Sequence, residues 1–133
     1  MRIFILLTLC LWSSLVYSDD FETAMQAYQQ QDYTLALSLL TSLAEQGNPD
    51  AQHRLAVMYR HGQGVEQDNQ LALSWYKQAA DKGHLKAQTS AAAMLYFAVG
   101  VSPDWTQAAH YFSLAARQGD AFSKGRCHQL GLD

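Results

Sequence analysis

A repeat with a period of 36 residues constrains the fold of this chain more than any other feature. Gly47, Gly83 and Gly119 are 36 residues apart, and each closes a similar phrase: SLAEQG, QAADKG and LAARQG. Other residues recur with the same spacing: Asp32, Asp68 and Asp104; Ala36, Ala72 and Ala108; and the bulky pairs Leu39-Leu40, Trp75-Tyr76 and Tyr111-Phe112. Such a period is typical of architectures in which each unit packs on its neighbours.

Each unit predicts two helices joined by a turn. In the middle unit, DAQHRLAVMYRHG has apolar residues at helical spacing and ends at Gly62, which suits a left-handed helix cap. The following segment, DNQLALSWYKQAADKG, begins at Asp68, whose carboxylate can cap the first turn, and it ends at Gly83. Strand patterns are absent, so the sequence predicts an all-α fold.

The middle unit resembles the Sel-one-like repeat (SLR), a relative of the tetratricopeptide repeat. The matching residues are Ala51, Leu55, Tyr59, Gly62, Gly64, Val65, Asp68, Ala72, Trp75, Tyr76, Ala79, Ala80 and Gly83. The resemblance implies a right-handed α-solenoid of helix-turn-helix units. We expect units at about 21–50, 51–86 and 87–122, followed by a closing half-unit at 123–133.

The flanking units depart from this pattern. In the third unit, Ala98 stands where the middle unit has Gly62, and Tyr96 lies one place later than Tyr59 predicts, so a slightly different turn is expected there. The first unit lacks the Gly-x-Gly-Val loop. It is similar to the shorter tetratricopeptide turn, which suits a terminal capping unit.

The glycine-rich segment YRHGQGVEQD, residues 59–68, also resembles a phosphate-binding loop. Such a loop follows a strand and usually carries a Lys or Arg at a fixed offset. Here a predicted helix precedes Gly62, and no Lys follows Gly64. The segment is therefore predicted to be a turn within one repeat, with Val65 held against the helix pair, and no cofactor is expected.

The first 18 residues predict a secretory signal peptide. Arg2 is followed by the apolar run 3–12 and by small and polar residues up to Ser18. The run is shorter than the roughly 18 to 20 residues that cross a bilayer. We expect cleavage after Ser18, which leaves a repeat domain at 19–133 with no integral membrane span. The expected location is the bacterial periplasm, with secretion as the alternative.

The charge and cysteine content of residues 19–133 exclude other classes. Eight Lys and Arg residues stand against twelve Asp and Glu residues, a net charge of about −4, so nucleic acid is not an expected partner. Cys10 lies in the predicted signal, and Leu9 before it disfavours lipidation. Cys127 remains as a single packed thiol, so stability is expected to come from apolar packing without an internal disulfide.

Candidates for chemistry are weak. Ser74-x-x-Lys77 has the spelling of penicillin-recognising serine enzymes, but it falls inside a predicted repeat helix without the partner motifs. The five histidines show no metal-binding spacing, although Asp50, His53 and His61 could approach one another around one helix. We predict no catalytic or metal-binding residues and a chain that is not an enzyme. A β-lactam- or cell-wall-directed enzyme similar to cysteine-rich SLR proteins stays as the alternative.

The predicted site is a partner-binding surface. In helix-pair solenoids the first helix of each unit lines the concave groove, where partners usually bind. The residues expected to face this groove are Asp50, His53, Val57, Arg60, His61, Lys86, Thr89, Tyr96 and Phe97. Mixed charge with aromatic anchors favours a protein or peptide partner. We therefore predict an exported scaffold or adaptor for envelope assembly, regulation or host contact, whose short arc could also self-associate.

Overall fold

The computed structural model describes residues 19–132, which form seven helices and no strand. Helix α1 covers residues 19–29. The others are α2 (Tyr33–Glu45), α3 (Pro49–His61), α4 (Asn69–Asp81), α5 (Leu85–Phe97), α6 (Trp105–Arg117) and α7 (Ala121–Leu130). This order confirms the predicted right-handed α-solenoid with a period of 36. The predicted signal peptide, residues 1–18, lies outside the described residues.

The helices pair as α1–α2, α3–α4 and α5–α6, and α7 packs on α6 as the first helix of a further pair. Helix α3 begins at Pro49 and α5 at Leu85. The boundaries expected before residues 51 and 87 therefore fall within the first turns of these helices. A proline is tolerated at position 49 because backbone N–H groups in the first turn of a helix have no intrahelical partner.

Side-chain caps explain where helices α2 to α7 begin. The recurring Asp32, Asp68 and Asp104 cap α2, α4 and α6, as predicted for Asp68. Each carboxylate accepts a hydrogen bond from the backbone N–H three residues later, at 3.2, 2.9 and 2.9 Å. The first helices of the units have a second set of caps at one period: Asn48, His84 and Asp120.

The turn between α3 and α4 confirms the predicted role of its first glycine. Gly62 caps α3 in the left-handed conformation, with φ of 65°. Ala98 takes the same conformation at the end of α5, with φ of 52°. The expectation of a different path for the third unit's turn was therefore wrong at this position. The left-handed conformation is sterically unfavourable for alanine, but Ala98 adopts it and the helix cap is the same as at Gly62.

The second glycine of the turn has another reason to be there. A Cβ added to Gly64 would lie 2.6 Å from Cβ of Tyr33, the first residue of α2. A Cβ on Gly100 would collide with Asn69, the first residue of α4. Gly64 and Gly100 are one period apart, as are Tyr33 and Asn69. The second glycine therefore lets each loop approach the previous unit closely.

The core is a continuous layer between the two rows of helices. Its buried side chains come from every helix and combine alanine with large residues such as Leu55, Tyr76 and Phe112. They form two clusters, and Tyr59 and Trp75 pack against both. Small residues opposite large ones allow the helices to approach and interdigitate.

Equivalent hydrogen bonds tie each unit to the one before it. The buried amide Nε2 of Gln52 donates to the carbonyl of Ala44, and one period later Gln88 donates to Ala80, both at 3.1 Å. A second, exposed set links the turns: Lys82 Nζ donates to Gly47 O at 2.6 Å and Gln118 Nε2 to Gly83 O at 3.0 Å. These bonds fix the rotation between neighbouring units.

Candidate interaction surface

The first helices of the units contact one another along one side of the solenoid. Asp50 of α3 reaches His84, the cap of α5, and Arg126 of α7 lies over the ring of Tyr96 on α5. Arg54 of α3 likewise lies over the ring of a tyrosine on α1, at 4.9 Å from its centroid. We call the solvent-facing side of α3, α5 and α7 the groove face. The repeat generates it, because positions 50, 86 and 122 are equivalent, as are 54, 90 and 126.

A stacked pair of histidines lies at the centre of the groove face. The ring of His53 stacks on His84, with centroids 4.6 Å apart and planes 20° apart. The backbone N–H of Ala87 donates to His84 Nδ1 at 3.1 Å, so the ring proton sits on Nε2, which donates to Asp50 Oδ1 at 3.1 Å. Asp50 thereby orients the ring that caps α5.

The environment of His53 keeps its imidazole neutral at pH 7. Burial lowers the pKa of His53 to about 4, and the charges of His84, Arg54 and Lys86 act in the same direction. The carboxylate of Asp50 opposes them with a smaller effect. Arg54 and Lys86 therefore both lie close to His53.

Tyr76 of α4 forms the floor beneath these groups. Its ring centroid lies 5.6 Å from that of His53, and the residue is almost fully buried. Burial raises the pKa of Tyr76, and the positive charge of Arg60, followed by its polar interaction and that of Ser90, partly opposes this rise. We call the basic residues that act on His53 or on Tyr76, namely Arg54, Arg60 and Lys86, the cationic cluster.

Rings gather around a guanidinium at the other end of α5. The Arg126 guanidinium lies 5.5, 5.2 and 5.1 Å from the ring centroids of Tyr96, Phe97 and Phe122. Phe97 is 50% exposed and Phe122 is 46% exposed. Arg126 also donates through one terminal nitrogen to Gln129 at 2.9 Å, which leaves other N–H groups for further bonds. We call these three rings with Arg126 the aromatic cluster.

The structure places most of the predicted groove residues in these two clusters. Asp50 and Lys86 lie near His53, Arg60 interacts with Tyr76, and the ring centroids of Tyr96 and Phe97 lie 4.9 Å apart. Whether they bind a partner stays a prediction.

Three predicted groove residues lie outside the clusters. Val57 is half-buried and packs against the core, and the hydroxyl of Thr89 donates to Leu85 O within α5. His61 is exposed at the last residue of α3. Eight residues of helix, about 12 Å, separate it from His53. Asp50 and His53 therefore do not gather around His61, and both contact His84.

Sequence reasoning missed Arg54, His84, Phe122 and Arg126. Arg54 and Arg126 are two periods apart, so the repeat itself was a signal that could have identified both. The repeat also marks the capping role of His84, which is one period from Asn48 and from Asp120, but its contacts with α3 have no pattern in the sequence. Phe122 was assigned to the boundary of the closing half-unit, whereas it lies in the first turn of α7.

The other candidates for chemistry lie apart from the groove face. Ser74 and Lys77 line an open depression on α4, together with Gln70, Leu73, Gln78 and Asp81. The pKa of Asp104 is lowered by hydrogen bonds from Gln107 and, less strongly, by the charge of Lys77.

Two further properties of residues 19–132 concern metal ions and membranes. Within this range no three His, Cys, Asp or Glu side chains are arranged to hold a metal ion. Over the same residues, no helix combines the length and apolarity that a membrane crossing requires.

These features define a helical-repeat protein with a charged and aromatic groove face. The family model of the Sel1 repeat matches residues 26–48, 49–84 and 85–120. The chain therefore belongs to the Sel1 repeat family, whose members are generally protein-interaction scaffolds. None of the proteins with curated descriptions is significantly similar in sequence.

Solved structures share the fold. A Sel1 repeat protein from Oxalobacter formigenes is 29% identical, with a TM-score of 0.73, over 84% of this chain and 45% of that one. The protective antigen c5321 of uropathogenic Escherichia coli is 32% identical, with a TM-score of 0.78, over 87% of this chain and 26% of that one. This chain thus spans less than half the length of either protein.

A third structure shows likeness of fold alone. Helicobacter pylori cysteine-rich protein B is 17% identical, with a TM-score of 0.65, over 82% of this chain and 92% of that one. In the described part of this chain, Cys127 is a free, buried cysteine.

Proposed function

We propose that this protein is an interaction scaffold or adaptor that holds a protein or peptide partner on its groove face. The observation that carries the proposal is the aromatic cluster, in which half-exposed Phe97 and Phe122 flank a guanidinium with unused N–H groups. Aromatic and arginine side chains dominate the binding energy of protein interfaces, because they combine area with directional hydrogen bonds.

The proposed place of action follows from the first 18 residues. Their order of charge, apolar run and small residues supports export and cleavage after Ser18. We place the mature protein in the bacterial periplasm, with secretion from the cell as the alternative. Its partner would then belong to envelope assembly, to regulation or to contact with a host.

Site-specific photocrosslinking in living cells tests the proposal. A photoreactive amino acid is placed at His61 or Lys86 on the groove face and, as a matched control, at exposed Ser74 or Gln78 on α4. We expect a discrete adduct from the groove positions that weakens when Arg126→Gln is added. Equal adducts from α4, or no adduct at any position, would count against binding on the groove face.

The enzyme alternative has a separate test. In the described residues Ser74 lies exposed on α4, and its hydroxyl forms no hydrogen bond with a base that could activate it. We expect that a fluorescent penicillin does not label the purified protein above the level of the Ser74→Ala variant. Labelling that is lost in Ser74→Ala would support the enzyme and contradict the scaffold.

A further inference from the structure

The helices of the groove face are basic, although the chain as a whole is acidic. Helices α3, α5 and α7 contain a single acidic residue, Asp50. Their basic residues are Arg54, Arg60, Lys86, Lys124 and Arg126. The whole chain has a formal net charge of −3, so its negative charges are concentrated elsewhere.

The acidic residues lie mainly at the start of α1 and at helix caps and turns. Asp19, Asp20 and Glu22 begin α1, and four aspartates serve as N-caps. The basic surface is therefore a feature of α3 to α7 and does not extend along the whole solenoid.

The cations of the groove face have no carboxylate of their own. Within residues 19–132, the Asp50 carboxylate accepts a hydrogen bond from His84 Nε2, and none of Arg54, Arg60 and Lys86 lies within ion-pair distance of a carboxylate. Arg54, Arg60 and Lys86 nevertheless lie close enough to His53 or Tyr76 to shift the pKa of these rings. These basic side chains lie on the helices of one face and have no counter-charges there, so an anionic group bound at this face would be stabilised.

Helix α5 connects the cationic cluster to the aromatic cluster. Lys86 lies in its first turn, and Tyr96 and Phe97 are its last two residues. Ten residues of helix separate Lys86 from Tyr96, which is about 15 Å. An extended peptide covers this distance with about four to five residues.

We propose that the groove face binds an acidic peptide segment that carries an aromatic anchor. Carboxylates of the segment lie against Arg54, Arg60 and Lys86. An aromatic side chain, four to five residues from the carboxylate at Lys86, packs between Phe97 and Phe122. This inference rests on the proposed scaffold function and adds the chemistry of the partner. Nucleic acid fits less well, because the acidic start of α1 opposes a continuous polyanion.

A random peptide library displayed on phage separates this inference from the scaffold function. The purified protein and its Arg60→Gln/Lys86→Gln double variant are both used for selection. Peptides that are acidic, carry an aromatic residue and fail on the double variant support the inference. Neutral or basic peptides that depend on Tyr96 or Phe97 would overturn it and leave the scaffold function standing. If no selected peptide depends on any groove residue, both proposals fail.

Measured affinities give the quantitative test. We expect a peptide of Glu residues and one Phe to lose affinity about two- to fivefold for Arg60→Gln and for Lys86→Gln, as for single exposed ion pairs. Lys77→Gln, which removes the same charge from α4, is the matched control and should bind like the unchanged protein. Because Lys86 is exposed, its replacement should leave the fold intact, which thermal unfolding checks.

Salt and competitors decide what kind of anion is bound. Binding of the acidic peptide should weaken as ionic strength rises, and exchanging Glu for Lys should abolish it. A single-stranded oligonucleotide should not displace the peptide. Equal binding of the Glu and Lys peptides, or tighter binding of the oligonucleotide with the same dependence on Lys86, would overturn the inference.

Discussion

Gly62 and Gly64 shape the turn after α3 for different physical reasons. Gly62 supplies a left-handed backbone that alanine adopts at the equivalent position, Ala98. Gly64 also leaves room for Tyr33 of the previous unit. The sequence predicted the turn and excluded a phosphate loop. It did not predict the close approach, because that contact joins residues 31 positions apart.

Substituting these two glycines should therefore have unequal effects. Gly62→Ala should lower the free energy of unfolding by about 1 kcal/mol, the cost of a left-handed alanine. Gly64→Ala should lower it by about 2–4 kcal/mol, because its Cβ would also lie 2.6 Å from Tyr33 Cβ. Urea unfolding followed by circular dichroism measures both. Equal losses of stability would show that Tyr33 moves away from the added Cβ at no further cost in free energy.

His53 should make the stability of the fold depend on pH. Its pKa is about 4 in the folded protein, against the ordinary value of 6.5 for a histidine. Between these values the unfolded chain binds more protons, so the free energy of unfolding should fall as the pH drops from about 6.5 to 4. Above pH 6.5 this contribution is fully present. The titratable and charged groups around the His53 ring are Asp50, Arg54, His84, Lys86 and Tyr76.

Stability measured at pH 7 and at pH 5 tests this effect. The decrease between the two pH values should be smaller in His53→Gln than in the unchanged protein. His110→Gln, which alters an exposed histidine on α6, is the control and should keep the full decrease. A His53→Gln variant with an unchanged decrease would contradict the neutral, desolvated imidazole.

At the scale of elements, the sequence predicted the helices well because caps and apolar spacing are local signals. Asp68 and Gly62 mark the ends of α4 and α3 as expected. The clusters of the groove face were only half predicted. Asp50 and Lys86 were predicted to face one groove, and both lie near His53, but Arg54 and Arg126 join the clusters through contacts between units. Such contacts have no short-range pattern.

The two buried glutamines, Gln52 and Gln88, should contribute unequally to the free energy of unfolding through their bonds to the preceding unit. Gln88 uses both ends of its amide: it donates to Ala80 O and accepts from Gln118 at 2.8 Å. Gln52 donates to Ala44 O, but its Oε1 is buried without a hydrogen bond. An unpaired buried oxygen already carries a desolvation penalty.

Methionine at each position tests this difference between the joints. Gln88→Met should lower the free energy of unfolding by about 1–3 kcal/mol, because two hydrogen bonds are lost. Gln52→Met should cost less, since the substitution also removes the unpaired oxygen. Urea unfolding of the two variants under identical conditions provides the comparison. A larger loss for Gln52→Met would show that Oε1 has a partner in solution.

At the scale of the whole molecule, the repeat fixes the architecture and leaves the partner open. Each unit contacts its neighbours, so stability is expected to build up along the stack. Substitution at equivalent exposed positions, such as 50, 86 and 122, changes the groove face without changing the architecture. In this chain those positions hold an acid, a base and an aromatic residue.

The position of a bound partner is the most direct test of the central claim that α3, α5 and α7 form the binding surface. Two-dimensional amide NMR spectra are recorded while a library-selected peptide is titrated into the protein. The largest shift changes should follow Arg54, Lys86, Phe97 and Arg126, with little change on the exposed sides of α4 and α6. Changes concentrated on α4 and α6, with the groove face unaffected, would contradict the account.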